Sequence, residues 1–197
     1  MLAIVQNRVL AVLTLVIAAV VVGGCAKPTT RYGDARGVET VTNQFGSTDL
    51  QMIAESMTRS MLNAPVIASG NLPIVTVQDV KNKTSEYIDT RAITDSIRAE
   101  LQKSGKVRFA VDAAAMQQQV EELERQQSEY YDKEQAAEKG RMAGAQYRME
   151  GNIVSIVKQA GDIRDVYYKF NLQLWNVRNG LLDWSDEREI RKTTTKG

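Results

Sequence analysis

The spacing of apolar residues changes several times along this chain, and each change marks an element. Val9 to Val22 is an unbroken apolar run of about 14 residues, shorter than the roughly 20 that span a bilayer and inside the range of about 7–15 for the core of a secretion signal. Ala26 to Gly46 is polar, carries Gly33, Gly37 and Gly46, and has no apolar period, so it reads as a flexible tether. A helical period follows. Leu50, Ile53, Ala54, Met57 and Met61 share a face, with Thr48 as N-cap and Gln51 three residues on, which predicts a helix to about Leu62. Its methionines read as core rather than as an adaptable binding face. The β-branched run from Ile74 to Val80 predicts a buried strand. Lys81 to Tyr87 is a polar loop. Asp89 then precedes a helix whose stripe is Ile93, Ile97 and Leu101 and which stops at Gly105. Val107 to Val111 alternates as a second strand, parallel to the first across that helix. Asp112 can cap a helix to about Gln127, and Asp132 with Gln135 opens another to about Ala143.

The last third has period two. Tyr147, Met149, Ile153 and Val157 alternate around Gly151, where a bulge is expected. Gly161-Asp162 is a hairpin turn, and Val166, Tyr168, Phe170, Leu172 and Leu174 line one face of a long strand. Asn179-Gly180 reads as a type I′ turn. Leu182 and Trp184 begin a final strand that frays through Glu187 to Arg191. The expected fold class is α/β (α+β): a two-layer domain over residues 47–192, helices on a mixed sheet that ends in a three-stranded antiparallel meander. The basic, Thr-rich end, residues 193–197, reads as a disordered tail.

The end of the first apolar run carries a second signal. Val22-Gly23-Gly24-Cys25 resembles the bacterial lipobox, in which two small residues let the cleavage site lie extended and the cysteine thiol takes a diacylglyceryl group. Residues 1–24 are then a signal peptide, and residues 25–46 a lipidated cysteine and tether. Two or more acyl chains hold a protein stably on a membrane. An ordinary secretory signal is the alternative, but Cys25 is the only cysteine and has no other to pair with. Ala26 follows the cysteine, and the resemblance to sorted lipoproteins implies that a residue other than Asp there favours export to the outer membrane.

Composition narrows the chemistry. The formal charge is +1 and falls to about zero without Arg8, so no basic field invites nucleic acid. The chain has no histidine, which excludes Ser-His and Cys-His nucleophiles and His-ligated zinc. Asp79, Asp89 and Asp95 do not form a carboxylate pair, since the last two fall on different helix faces. Gly140, Gly144 and Gly151 follow no strand and make no phosphate loop. The expectation is therefore a protein that is not an enzyme and has no cofactor, no metal site and no catalytic residue. For partner binding the loop Asn82, Lys83, Thr84 and Tyr87, extended to Asp89, stands out at the C-terminal end of the first strand, where crossover loops open to solvent. Lys81 and Lys83 give it charge, and Tyr87 a large contact at low entropy cost. Asn82 and Thr84 equally suit the shaping of a turn. The meander face around Lys169, Asn171 and Gln173 is the second candidate surface.

Several stretches together resemble the LpoB family: Asp79-Val80-Lys81-Asn82-Lys83-Thr84, Lys103-Ser104-Gly105-Lys106, Gly144-Ala145-Gln146-Tyr147-Arg148-Met149-Glu150-Gly151, and Asn171-Leu172-Gln173-Leu174-Trp175 through Asn179-Gly180 to Trp184-Ser185. The resemblance covers about residues 45–192 and the lipobox. It implies an outer-membrane lipoprotein facing the periplasm, a monomer that binds and activates a bifunctional class A penicillin-binding protein without catalysing a reaction. The long Pro-rich linker that some members carry is absent, since the tether is short and has Pro28 as its only proline. The fold is also similar to the amino-terminal domain of TolB and to curli-secretion lipoproteins. An envelope scaffold or secretion-complex lipoprotein is therefore the alternative.

Overall fold

A computed structural model describes residues 29–195. The chain divides into two compact units, Met1–Ala35 and Arg36–Gly197. Residues 29–34 of the first unit are exposed and without regular structure. The signal run and Cys25 lie outside the described residues.

The second unit is built on a six-stranded mixed sheet, in the order β3-β1-β4-β5-β6 with β2 also paired to β4. In chain order the elements are α1 (Ser47–Asn63), α2 (Pro65–Ala68), β1 (Ile74–Val77), β2 (Lys81–Lys83), α3 (Thr90–Lys103), β3 (Arg108–Phe109), α4 (Met116–Gln126), β4 (Tyr147–Ala160), β5 (Ile163–Asn176) and β6 (Leu182–Thr195). β1 runs parallel to β3 and to β4, and β2 parallel to β4. β4, β5 and β6 form the antiparallel meander. This is the mixed sheet the two periods predict.

The core forms where the helical and strand stripes meet. Ile53, Met57 and Met61 of α1, Ile93, Ile97 and Leu101 of α3, and Tyr168, Phe170, Leu172 and Leu174 of β5 are all fully buried in one cluster. Burying a large apolar side chain is worth about 1.5–3 kcal/mol, so this cluster fixes which face of β5 points inward. α3 starts as expected: the Asp89 carboxylate accepts from the N–H groups of Arg91 at 3.0 Å and Ala92 at 3.3 Å.

Several expectations are corrected. The N-cap of α1 is Gly46, not Thr48; Asp49, at the third helical position, accepts from the Gly46 N–H at 2.9 Å. Thr48 instead accepts from the Glu39 N–H at 2.8 Å. No helix covers 132–143, where the chain makes only turns. Asp132 does cap, accepting from the Glu134 N–H at 2.9 Å, but every residue there except Ala136 is exposed. A cap with no apolar face to bury does not sustain a helix.

Gly151 sits in unbroken register opposite Leu172 rather than at a bulge. A Cβ there would lie 2.1 Å from the Asn171 carbonyl oxygen, so the glycine permits close approach of two backbones. The register shift comes instead between Leu174 and Trp175. Asn179-Gly180 does turn the chain, but only Gly180 has positive φ, and a type I′ turn needs it at both central residues. β6 does not fray: it stays paired to Thr195, with Thr193 donating to Asp165 at 2.8 Å, so residues 193–195 are strand rather than tail.

The far end of the expected tether is held on the sheet and α1. Glu39 accepts from the Ser47 N–H at 2.9 Å. Lys192 bonds the Gln44 carbonyl at 2.6 Å and the Asp49 carboxylate at 2.9 Å. The Phe45 ring meets Tyr168 edge-on at 5.7 Å. Residues 39–46 form a strap, fixed by contacts that a local polarity pattern does not reveal.

Candidate functional site

The loop after β1 is shaped from within. Val77 ends β1, and the chain re-enters the sheet as β2, pairing Lys81 with Asn152 and Lys83 with Val154. It leaves again at Thr84. The Asn82 side-chain oxygen accepts from the Thr84 N–H at 2.9 Å and the Thr84 hydroxyl at 2.8 Å, and its amide donates to the Glu86 carbonyl at 2.8 Å. Asn82 and Thr84 therefore spend their polar groups on the turn, the role such residues have in Asx and ST turns. What the turn presents outward is Lys81, Lys83 and Tyr87; the tyrosine is 95% exposed.

Glu86, which no sequence signal marked, anchors the loop from below. Its carboxylate accepts from the Tyr168 hydroxyl at 2.8 Å and the Phe45 N–H at 3.0 Å. Tyr168 is fully buried and also donates toward the Asn43 carbonyl at 3.3 Å. Burial first, then the hydrogen bond to Glu86 and its charge, hold the Tyr168 hydroxyl well above the ordinary phenol range. One carboxylate thus ties the loop, the strap and the inward face of β5 together.

Beside the loop lies a cleft of about 380 Å³, lined by the end of β1, the start of α3 and the segment after β3. Its charges are mutually engaged. Arg91 pairs with Asp79 at 3.3 Å; Arg98 pairs with Asp112 at 3.3 Å and Asp95 at 3.6 Å, and lies over the Phe109 ring at 5.8 Å. The Ala115 N–H, donating at 2.9 Å, and then Arg98 hold the Asp112 carboxyl below its usual value. Asp89 is spent on the α3 cap. Among the described residues no cluster of acidic side chains or cysteine is placed to hold a metal ion. The arrangement is a polar cleft wall beside Tyr87 whose charges pair with one another.

The second candidate surface is paired within itself. Lys169 meets Glu187 at 2.5 Å, which raises the lysine's pKa. Tyr167 donates to Glu189 at 2.6 Å, and Arg191 stacks on the Tyr167 ring at 5.5 Å. Among the described residues no helix is long and apolar enough to cross a membrane.

Comparison with known proteins adds a family. The model described as "Peptidoglycan-synthase activator LpoB" matches residues 49–190. Similar solved structures include the LpoB C-terminal domain from Salmonella enterica, 18% identical, covering 72% of this chain and 98% of that one with a TM-score of 0.44. The NMR structure of E. coli LpoB is 19% identical, covering 87% and 88%, with a TM-score of 0.40. Lipoprotein GNA1162 from Neisseria meningitidis is 16% identical, covering 62% and 84%, with a TM-score of 0.39. No curated protein matches the chain.

Proposed function

The chain belongs to the LpoB family of peptidoglycan-synthase activators, and from that premise we propose that it binds a bifunctional class A penicillin-binding protein and stimulates it without catalysing a step itself. The observation that carries the reading is the family match across nearly all of the folded unit, residues 49–190. The proposed docking residues are Asn82, Lys83, Thr84 and Tyr87. Asn82 and Thr84 hold the turn; Lys83 and Tyr87 make the contact. A pre-set loop loses little entropy on binding, and exposed tyrosines are common interface anchors.

Cys25 is the proposed lipid attachment, placing the domain on the periplasmic face of the outer membrane. Cells fed a clickable fatty acid should label the wild type and not Cys25→Ser; equal labelling would remove the anchor.

The functional test uses the chain from residue 26 onward with a purified class A synthase from the same organism. Glycan-strand polymerisation should rise on addition. Tyr87→Ala with Lys83→Glu should lower affinity about thirtyfold, the equivalent of roughly 2 kcal/mol, without moving the melting curve. Affinity within a factor of two of wild type rejects the loop. No stimulation by the wild type, together with assembly into rings, would favour the secretion-complex reading.

A further inference from the structure

β4 is 14 residues long, but its partners on one side run out early. β1 pairs it up to Met149 and β2 up to Val154. From Ser155 to Ala160 it is bonded only to β5, and among the described residues nothing pairs with its other edge. The edge is not covered either: residues 156–160 are all exposed, with Ile156 at 55% and Val157 at 41%.

The bonding pattern of this edge follows from the hairpin. Gly161-Asp162 is a two-residue loop with Gly161 at φ +54°, so Ala160 and Ile163 form the closing pair and exchange both of their bonds. Counting back by twos, Lys158 and Ile156 bond to β5. Ser155, Val157 and Gln159 turn their N–H and C=O groups to the open side.

The slot continues the line of β2, immediately beyond the point where the chain leaves the sheet at Thr84. Its charge is one-sided. Lys81 and Lys83 share the face of Asn152 and Val154 through their pairing, which by alternation is also the face of Lys158. None of these three lysines has an ion-pair partner among the described residues. Asp165, opposite Lys158, is already engaged by Thr193 and Arg191. Lysines along an edge discourage pairing with a second, equally basic copy, while the same charges favour an acidic strand.

We propose that the edge of β4 from Ser155 to Ala160 is a strand-addition site. It receives an extended acidic segment of the synthase, about six residues long, with carboxylates near Lys83 and Lys158 and an apolar side chain beside Ile156. This rests on the reading that a synthase is the partner. The loop through Tyr87 and the edge then form one continuous surface, the loop giving a side-chain anchor and the edge giving main-chain bonds.

The test titrates the chain from residue 26 onward against the detergent-solubilised class A synthase, with amide exchange of the bound protein followed residue by residue. Val157→Pro removes an N–H that bonds nothing in the free protein, and proline is tolerated at such edge positions. Lys158→Glu reverses the charge without touching the backbone. Each should weaken binding at least tenfold with an unchanged melting curve. Binding should protect the amides of Ser155, Val157 and Gln159 while leaving Ile156 and Lys158 as they were. Wild-type binding with both variants within twofold and no alternating protection overturns the edge and leaves the loop standing. No wild-type binding overturns the synthase reading and this proposal with it.

Discussion

Replacing Glu86 by alanine tests whether one carboxylate joins the loop, the strap and the sheet. The substitution removes the acceptor of the Tyr168 hydroxyl at 2.8 Å and of the Phe45 N–H at 3.0 Å. Hydrogen bonds to a charged group contribute about 1.5–3 kcal/mol each. Glu86 is half-buried, so the lower end applies, and the two together come to about 3 kcal/mol. Tyr168 keeps only its longer contact to Asn43 at 3.3 Å. For a unit of this size about 3 kcal/mol lowers Tm by roughly 6–12 °C. Urea denaturation of Glu86→Ala, Tyr168→Phe and the double variant closes a cycle. The expected coupling between the two positions is at least about 1 kcal/mol. A loss below about 0.5 kcal/mol for Glu86→Ala, the ordinary scatter of surface substitutions, or independent effects in the cycle, would refute the reasoning.

Other outcomes follow from the same geometry. Because the folded state raises the Tyr168 pKa, its contribution is complete below the unfolded value of about 10 and is lost as pH rises through the folded value; stability measured from pH 8 to 12 should fall less for Tyr168→Phe than for wild type. Asp112, held low by the Ala115 N–H and Arg98, contributes above the ordinary carboxylate range and loses that contribution as pH falls; Asp112→Ala should cost about 1–2 kcal/mol at pH 7 and little at pH 2. Gly151→Ala puts a Cβ 2.1 Å from the Asn171 carbonyl and should cost at least about 1–3 kcal/mol, seen as a lower urea midpoint. Deleting residues 29–33, which are exposed and without regular structure, should leave stimulation of the purified synthase unchanged and lower function in cells, where reach matters.

How far the sequence could be read depended on whether apolar residues carried the information. The stripes of α1 and α3 and the inward face of β5 were legible because burial imposes its period on them: Ile53, Met57, Ile93, Ile97, Phe170 and Leu172 are all fully buried. Asp89 was legible as a cap because its bonds are local. The strap was not, because Phe45, Gln44 and Glu39 are fixed by Tyr168, Lys192 and Ser47, two of them more than a hundred residues away, and nothing in the polarity of 39–46 announces those partners. β6 looked frayed because Asp186, Glu187, Arg188 and Glu189 read as solvent-facing, whereas an edge strand tolerates charge on both faces and even gains protection from it. The opposite error came at Asp132, where a cap without an apolar stripe produced a turn. In the loop, the two properties of Asn82 and Thr84 could not be separated by residue type alone. Glu86 gave no signal because a carboxylate in a polar loop is the commonest sight in a sequence; only the position of Tyr168 makes it special.

The strap also changes the argument about reach. Read as tether, residues 26–46 could extend roughly 70 Å. With residues 39–46 held against the folded unit and the Gly37 carbonyl accepting from the Thr48 hydroxyl at 3.4 Å, about 11 residues at most remain between Cys25 and the folded unit, a limit of roughly 36 Å fully extended. With Cys25 as the proposed anchor on the outer membrane, the domain would work within a thin shell beneath it. If the proposed synthase partner is rooted in the inner membrane, it would have to bring its docking region up into that shell. Docking would take place on a part of the synthase remote from its own anchor, and stimulation would be transmitted through the synthase rather than delivered at its catalytic sites. Confinement would have a compensating effect: a short tether would hold the domain at high effective concentration in that shell, so a modest intrinsic affinity at the proposed Tyr87 loop would suffice for engagement there. If the proposed anchor and docking surface both hold, the short tether and the composite surface would act as one device, selecting synthases by how far they extend as much as by what they present.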